Sequence, residues 1–320
     1  MIPRALSHII DAKRRLHLED SIENPAWDIF ISAYNDSSRV REIFRDIKAV
    51  NKSWWLLPEY AYSSEETAQL PAHISSNATN EADLISNNFD SMSIDFSASG
   101  RICIDITGFM MPHILFLLKY LRDSGVKNFD MIYTEPEHYA LKAETRFTLD
   151  DVSTVRPVAG FEGQHHTSMA KDLLIVGVGY DHNPVGRIIQ NKESARLAQL
   201  HCFPSLSADM YQESVLRIDR VAEGSAAQLD GQIFFSSAND PYLTSLALSE
   251  TVQYFLNAGG ISNLYLSPLA TKPQALGFGL FYLKELEGAA ASIIYPFSTR
   301  YSRETSKGVG RTWVYPVVFG

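Results

Sequence analysis

The sequence predicts an α/β protein made of two pseudo-repeated Rossmann-like units, each with a largely parallel sheet and a hairpin at its end. Three observations carry this expectation. Apolar runs of strand length alternate with segments of helical period, the pattern that builds parallel sheets through βαβ crossovers. Two stretches, Ile102–Leu121 (ICIDITGFMMPHILFLLKYL) and Asn263–Leu283 (NLYLSPLATKPQALGFGLFYL), share one plan of strand, small-residue loop, proline and apolar helix. Matched residues also recur in one order along both halves of the 320-residue chain, as a duplication requires.

Taken in order, residues 1–24 read as an amphipathic N-terminal helix ended by Asn24-Pro25, with Lys13, Arg14 and Arg15 on its solvated face. The first unit is expected over 25–160. Ile29–Tyr34 is a strand, Asn35-Asp36-Ser37-Ser38 is a helix start, and Val40, Ile43, Phe44 and Ile47 fall on one helical face. Trp54–Leu57 is a second strand closed by Pro58. Residues 63–91 are rich in Ser, Asn, Glu and Ala with weak periodicity, which predicts a surface excursion. Ser93–Ser97 turns through Ser99-Gly100 into the strand at Ile102; Phe129–Tyr133 follows, then a hairpin from Arg146 to Val158.

A linker over 161–171 leads to the second unit, 172–320. Ile29, Tyr34, Arg41, Ile43, Ala49 and Pro58 align with Ile175, Tyr180, Arg187, Ile189, Ala195 and Pro204. Ser93–Ala98 then matches Gln232–Ser237, and Val155–Val158 matches Val314–Val317. A second alignment, Ile29–Asp36 on Ile233–Asp240, is closer locally but keeps fewer segments in order. Here the second unit differs from the first by a helix from Leu243 to Leu256 between its third and fourth strands.

A formal charge of -9 and a pI near 5.5 argue against a long nucleic acid as partner, so an anionic ligand would be small and met by local donors. Cys103 and Cys202 sit in apolar runs and read as buried thiols. No apolar run predicts a signal peptide or a membrane span, which gives a cytoplasmic expectation.

Ligands of open α/β sheets sit beyond the carboxyl ends of the strands. Those ends supply Tyr34 and Asn35, Thr107 and Gly108, Tyr180, Asn239, Thr271 and Lys272, and Arg300 as ligand-binding candidates. Thr107-Gly108 combines a hydroxyl with the amides of a helix start, which suits a phosphate or ribose; Thr271-Lys272 adds a cation in the equivalent place. Asp181 and His182 are candidates for acid–base work, and a capping Asp beside a polar His explains the same pair. Glu162 with His165-His166 lacks paired metal-ligand spacing, so neither a metal nor a cofactor is expected. No P-loop, GxGxxG or GxSxG motif is present. Gly177 and Gly179 lie inside a strand and read as marks of close backbone approach.

At these loops the chain resembles the CARF family of Rossmann-like sensor domains and the related SAVED domains, which fuse two such units. Members carry an acid or Asn at the end of the fourth strand, a Ser or Thr two residues on, and a basic residue four further. Asp105 and Thr107 match in the first half, where Met111 stands at the basic position; Lys272 matches in the second, where Leu266 and Pro268 replace the other two. The resemblance adds Asp105 to the ligand set. It implies a cyclic-oligonucleotide sensor in antiviral defence, binding at the seam of the two units and acting with a separate effector protein. Two other functions fit the same residues. One is a phosphodiesterase or transferase using Asp181, His182 or Lys272. The other is an interaction subunit presenting Tyr60, Tyr62, Tyr139 and Tyr301.

Overall fold

The computed structural model describes residues 14–16, 27–96, 100–139, 149–150, 152–179, 181–206, 231–304 and 306–319. They form a mixed α/β structure with two mostly parallel sheets. Contacts divide the chain into two compact units, Met1–Asp150 with Thr299–Gly320, and Asp151–Ser298. The units therefore follow contacts rather than the two halves of the chain.

The first unit contains β1 (Arg14–Arg15), β2 (Trp27–Ala33), α1 (Ser38–Asp46), β3 (Ala49–Leu56), α2 (Ser64–Thr67), β4 (His73–Ser75) and α3 (Glu81–Met92). It continues with β5 (Ile102–Asp105), α4 (Met111–Asp123), β6 (Asn128–Thr134) and β7 (His138–Tyr139). In the second unit come β8 (Thr154–Pro157), β9 (Leu173–Val178), α5 (His182–Asn191), β10 (Arg196–Cys202), β11 (Gln232–Ser236), α6 (Pro241–Asn257), β12 (Leu264–Pro268), α7 (Lys272–Phe281) and β13 (Ala291–Phe297). The chain then returns to the first unit with β14 (Ser306–Lys307) and β15 (Thr312–Val318).

The first sheet has the order β1-β15-β6-β5-β2-β3-β4, and the strands from β2 to β6 run parallel. The second has the order β11-β10-β9-β12-β13-β8, with β9 to β13 parallel. Counted from its own first parallel strand, each sheet reads 3-2-1-4-5 with an antiparallel strand beside the fifth. This is the doubly wound order, whose direction reverses between the first and fourth strands. Burial explains the composition: every residue of β5, β9 and β12 is buried, so these strands read as unbroken apolar runs. On α1 the expected face is the buried one, and Val40, Ile43, Phe44 and Ile47 contribute about 1.5–3 kcal/mol each. Phe44 stacks on Trp54 of β3 with ring centroids 3.7 Å apart, which fixes α1 against the sheet.

Three expectations change. Residues 63–91 are not an excursion: they hold the third strand, β4, and the helix α3. Its polar composition hides α3, but Asn80 accepts from the Asp83 amide at its start, and Leu84, Ile85 and Phe89 are buried. Ser93–Ser97 is not the third strand. Ser93 ends α3 in the left-handed region, and Phe96 packs on Phe89 and Tyr120; residues 97–99 lie outside the described ones. Both units thus carry a helix between strands three and four, α3 and α6, and the two units correspond more closely than the sequence suggests. Finally, Arg14–Arg15 is a strand and not part of a helix. It pairs antiparallel with Val314 and Trp313 and covers polar backbone at the edge of β15. Leu16 continues this pairing by donating its amide to the Thr312 carbonyl (2.9 Å), and residues 1–13 and 17–24 of the expected helix lie outside the described ones.

The closing strand of each half is antiparallel, but it is exchanged. β8 ends the first half and pairs with β13; β15 ends the second and pairs with β6. Among the described residues no helix is long and apolar enough to cross a membrane.

Candidate functional site

In the first unit the reversal of strand order brings the loops after β2 and β5 together. A Cβ on Gly108 would strike the Ala33 carbonyl, so the two loops touch backbone to backbone and only glycine fits. The second unit makes the equivalent contact from the other side, with Gly179 after β9 against the Leu269 carbonyl after β12. Of the two glycines read as marks of close backbone approach, Gly179, just past β9, meets backbone, whereas Gly177 within β9 faces the Gln274 side chain.

Tyr60, in the turn after β3, ties the two loops. Its hydroxyl donates to the Gly108 carbonyl (2.7 Å) and accepts from Asn35 Nδ2 (3.2 Å), while Asn35 Oδ1 accepts from the Ser37 amide (3.0 Å). Burial pushes the Tyr60 phenol up to about 12, so it stays protonated and able to donate. The N-cap residue of α1 is Ser37, yet its side chain makes no capping hydrogen bond, and the buried Oγ has no partner. The start of α1 thus has no side-chain cap from Ser37, and the Val40 amide bonds the Ser37 carbonyl instead (3.1 Å).

Asp105 and Thr107 lie beneath this surface. Asp105 accepts from Ser32 Oγ and from the Thr107 amide, both at 2.9 Å, and Thr107 Oγ1 accepts from the Thr134 amide at 3.0 Å. Both residues are buried, so they brace the loop from inside. Tyr34 is half-buried, edge-on to Trp54 and beside Tyr62; burial, then Asp36, raises its phenol.

Sequence patterning gave no notice of Glu59 and His113. His113 is the third residue of α4, and its Nε2 lies 3.4 Å from Oε1 of Glu59, which follows β3. The imidazole is 2% exposed, and neither its Nδ1 nor Glu59 Oε2 has a hydrogen-bond partner. Leaving such atoms unmatched costs about 1–3 kcal/mol each. A glutamate and a histidine 54 positions apart in the chain carry no spacing signal.

A strap from Thr299 to Arg311 spans this edge. Tyr301 donates its amide to the Glu59 carbonyl (3.0 Å), and Arg303 donates to the carbonyls of Tyr60 (2.7 Å) and Ala61 (2.6 Å) and to Glu66 Oε1 (2.6 Å). The Arg303 guanidinium also lies 3.9 Å from the Tyr62 ring centroid. At the other end Arg311 Nε and Trp313 Nε1 each donate to Glu135 at 2.9 Å. The strap is thus anchored after β3 and after β6, three strand spacings or about 14 Å apart. Between these anchors lie the carboxyl ends of β2 and β5, and Val309 packs on the same apolar cluster as Tyr34.

In the second unit, Thr271 caps α7 by accepting from the Gln274 amide (3.2 Å) and donates to the Ala238 carbonyl (2.5 Å). Lys272 is the first residue of α7 and half-buried. Asn239 Oδ1 accepts from Ser237 Oγ at 3.1 Å. Asp181 caps α5 through the Asn183 amide (3.2 Å), as a bland capping residue does; His182 opens that helix, and Tyr180 lies outside the described residues. Arg300 is exposed and belongs to the first unit, where its carbonyl accepts from the Leu149 amide. The candidates are therefore divided between two edges, with Tyr34, Asn35, Asp105, Thr107, Gly108 and Arg300 in one unit and Asp181, His182, Asn239, Thr271 and Lys272 in the other.

His165 and His166 sit at the opposite end of the second sheet. His165 Nε2 bonds Ser292 Oγ at 2.7 Å and stacks on Tyr265, and the His166 amide donates to Asn263 Oδ1 at 2.7 Å. Among the described residues no group of three or more His, Cys, Asp or Glu is placed to hold a metal. Neither Cys103 nor Cys202 forms a disulfide, and burial pushes the Cys202 thiol up to about 12, far from a reactive thiolate. Compared with protein-family models and with curated proteins, the chain matches none.

Proposed function

We propose that this chain binds a nucleotide-like or otherwise phosphorylated small molecule at the carboxyl edge of its first unit. One observation carries the reading: at the reversal of strand order, the N-terminus of α1 has no side-chain cap, and it lies beside the glycine-lined contact of Gly108 with Ala33. Uncapped amides and the helix dipole favour an anion there. The chain's charge of -9 favours a small anion over a long polyanion. The resemblance to CARF and SAVED domains extends the reading to cyclic oligonucleotides, with a separate effector protein reading out the bound state in antiviral defence.

Thermal shift against cyclic oligonucleotides, mononucleotides and sugar phosphates tests this. Ser38→Asp places a negative charge in the first turn of α1, which suits the helix but repels an anion. The expected result is stabilisation by one phosphorylated ligand, weakened about tenfold in this variant, whose own melting temperature is unchanged or raised. Consumption of that ligand during incubation would favour the phosphodiesterase or transferase reading. No response to any compound would overturn ligand binding and leave the interaction subunit.

A further inference from the structure

We infer that β11 is the contact strand of a homodimer, in which two copies of this chain pair antiparallel about a twofold axis through Phe234. The inference concerns the second unit alone and stands whether or not the first unit binds a ligand.

The edge is the first reason. β11 is the outermost described strand of the second sheet: one side pairs with β10, and the other borders no described strand. A free edge invites another strand, and proteins guard such edges with charge, proline or brevity. The other three edges are guarded in this way. β1 is Arg14-Arg15, β4 is three residues long, and β8 carries Arg156 and Pro157. β11 reads Gln-Ile-Phe-Phe-Ser, with no charge and no proline.

Apolar exposure is the second. Half of the exposed large hydrophobic side chains among the described residues gather at this edge: Phe203, Ile233, Phe235, Leu243 and Tyr254, each 44% to 61% exposed. They lie on both faces of the sheet. Phe234 meets Tyr254 and Phe255 of α6, so Ile233 and Phe235 point to the opposite face, where the Phe203 ring lies 6.1 Å from that of Phe235. Leu243 and Tyr254, three turns apart, share one flank of α6. The Tyr254 hydroxyl accepts from Gln232 Nε2 (3.0 Å), which sets that flank beside β11. A half-exposed side chain of this size leaves about 100 Å² to cover, so the five leave about 500 Å² per chain before any backbone is counted. Stable interfaces begin at about 600 Å² per partner, so a dimer of micromolar strength is expected.

Self-complementarity names the occupant. A twofold axis requires a surface that matches itself. Centred on Phe234, the strand runs polar, apolar, apolar, apolar, polar in either direction. Antiparallel pairing about that centre sets Ile233 of each chain opposite Phe235 of the other, Phe234 opposite its own copy, and Gln232 opposite Ser236. Directly opposed residues share a face, so the two Ile–Phe pairs are of the β-branched and aromatic kind that sheets favour. A slip of one residue would set Gln232 opposite Phe235, or Ile233 opposite Ser236.

Analytical ultracentrifugation of the full chain from about 1 to about 100 µM tests the inference, with a dimer of twice 35.8 kDa expected at the upper end. Ile233→Lys combined with Phe235→Lys brings like charges together across the axis and is expected to leave a monomer. Ile233→Lys combined with Phe235→Glu brings opposite charges together at the same positions, and dimerisation is expected to return to within about tenfold of wild type. A wild-type chain that stays monomeric over the whole range overturns the inference. A dimer that survives the Lys–Lys change overturns it too, as does equal loss in both charged chains, which excludes the register centred on Phe234. Hydrogen exchange on the wild-type chain decides the matter even if a variant fails to fold. The amides of residues 232–236 are expected to gain protection as concentration rises, and exchange independent of concentration overturns the pairing.

Discussion

Thr134 and Thr312, 178 residues apart, share a hydrogen bond of 3.0 Å between their hydroxyls. It lies where β6 meets β15, the strand that reaches the first sheet only after the chain has passed through the second. Thr134 pairs with Thr312 and Asn128 with Val318, so the whole length of β6 is matched by the end of the chain. A chain stopped at Ser298 would leave the backbone groups along that edge of β6 unpaired and Tyr133 and Met131 uncovered. Its first unit is expected to lose cooperative unfolding, followed by circular dichroism and tryptophan fluorescence. A truncated chain that melts as sharply as the full one would contradict the exchange.

Gly108 is expected to tolerate no side chain. Gly108→Ala forces a methyl onto the Ala33 carbonyl and should cost about 1–3 kcal/mol in urea unfolding. Gly125→Ala is the control: its φ of +83 is unfavourable for alanine but the space is open, so about 1–2 kcal/mol is expected from backbone strain alone. Ligand binding should respond to the first change and not to the second.

The strap is expected to loosen in acid. Arg303 first, and then the Ser63 amide, hold Glu66 below the usual carboxylate range. A depressed carboxylate contributes above its unfolded pKa, and the contribution is lost as pH falls through the folded value. Hydrogen exchange at the Tyr301 amide, corrected for its intrinsic pH dependence, should therefore speed up below the ordinary glutamate range. Glu66→Gln should show the faster exchange already at neutral pH and no further acid response. Unchanged protection in this variant would mean that the carbonyls of Tyr60 and Ala61 hold the strap without it.

His201 gives the second unit a separate acid sensitivity. Burial lowers its imidazole from 6.5 to about 4, and its Nε2 bonds Gln199 Oε1 at 3.0 Å. Below pH 6.5 the unfolded chain takes a proton that the folded chain refuses until about pH 4, so stability falls across that window. The loss is of order 3 kcal/mol for a shift of this size. His201→Gln should flatten the pH dependence of urea unfolding over the same range; an unchanged slope would show that other groups cause it.

The strands that became legible in the sequence are those buried on both faces, because burial writes itself as an apolar run. Leu173–Val178 and Ile102–Asp105 are of this kind. The three residues of β4 leave no such mark, and α3 hides its buried Leu84, Ile85 and Phe89 among serines and asparagines. At the candidate site, Asn35 and Gly108 were readable because loops at strand ends are dictated by chain order. Thr107 and Asp105 were readable as residues but not as buried braces. Whether a hydroxyl turns outward or inward depends on its neighbours, here Ser32 and Thr134.

By itself the sequence determined the α/β class and most of the alternation of strands and helices, although β4 and α3 escaped it. These follow from periodicity and the handedness of crossovers, which are local properties of the chain. The tertiary structure alone decided which sheet each closing strand joins. Val155–Val158 and Val314–Val317 share one pattern, and the strands that receive them share Ile-Tyr at 132–133 and 294–295, so either strand has a fitting partner in either sheet. The meeting of Glu59 with His113 was settled in the same way. It depends on where α4 enters above the sheet, a relation between elements that no spacing along the chain records.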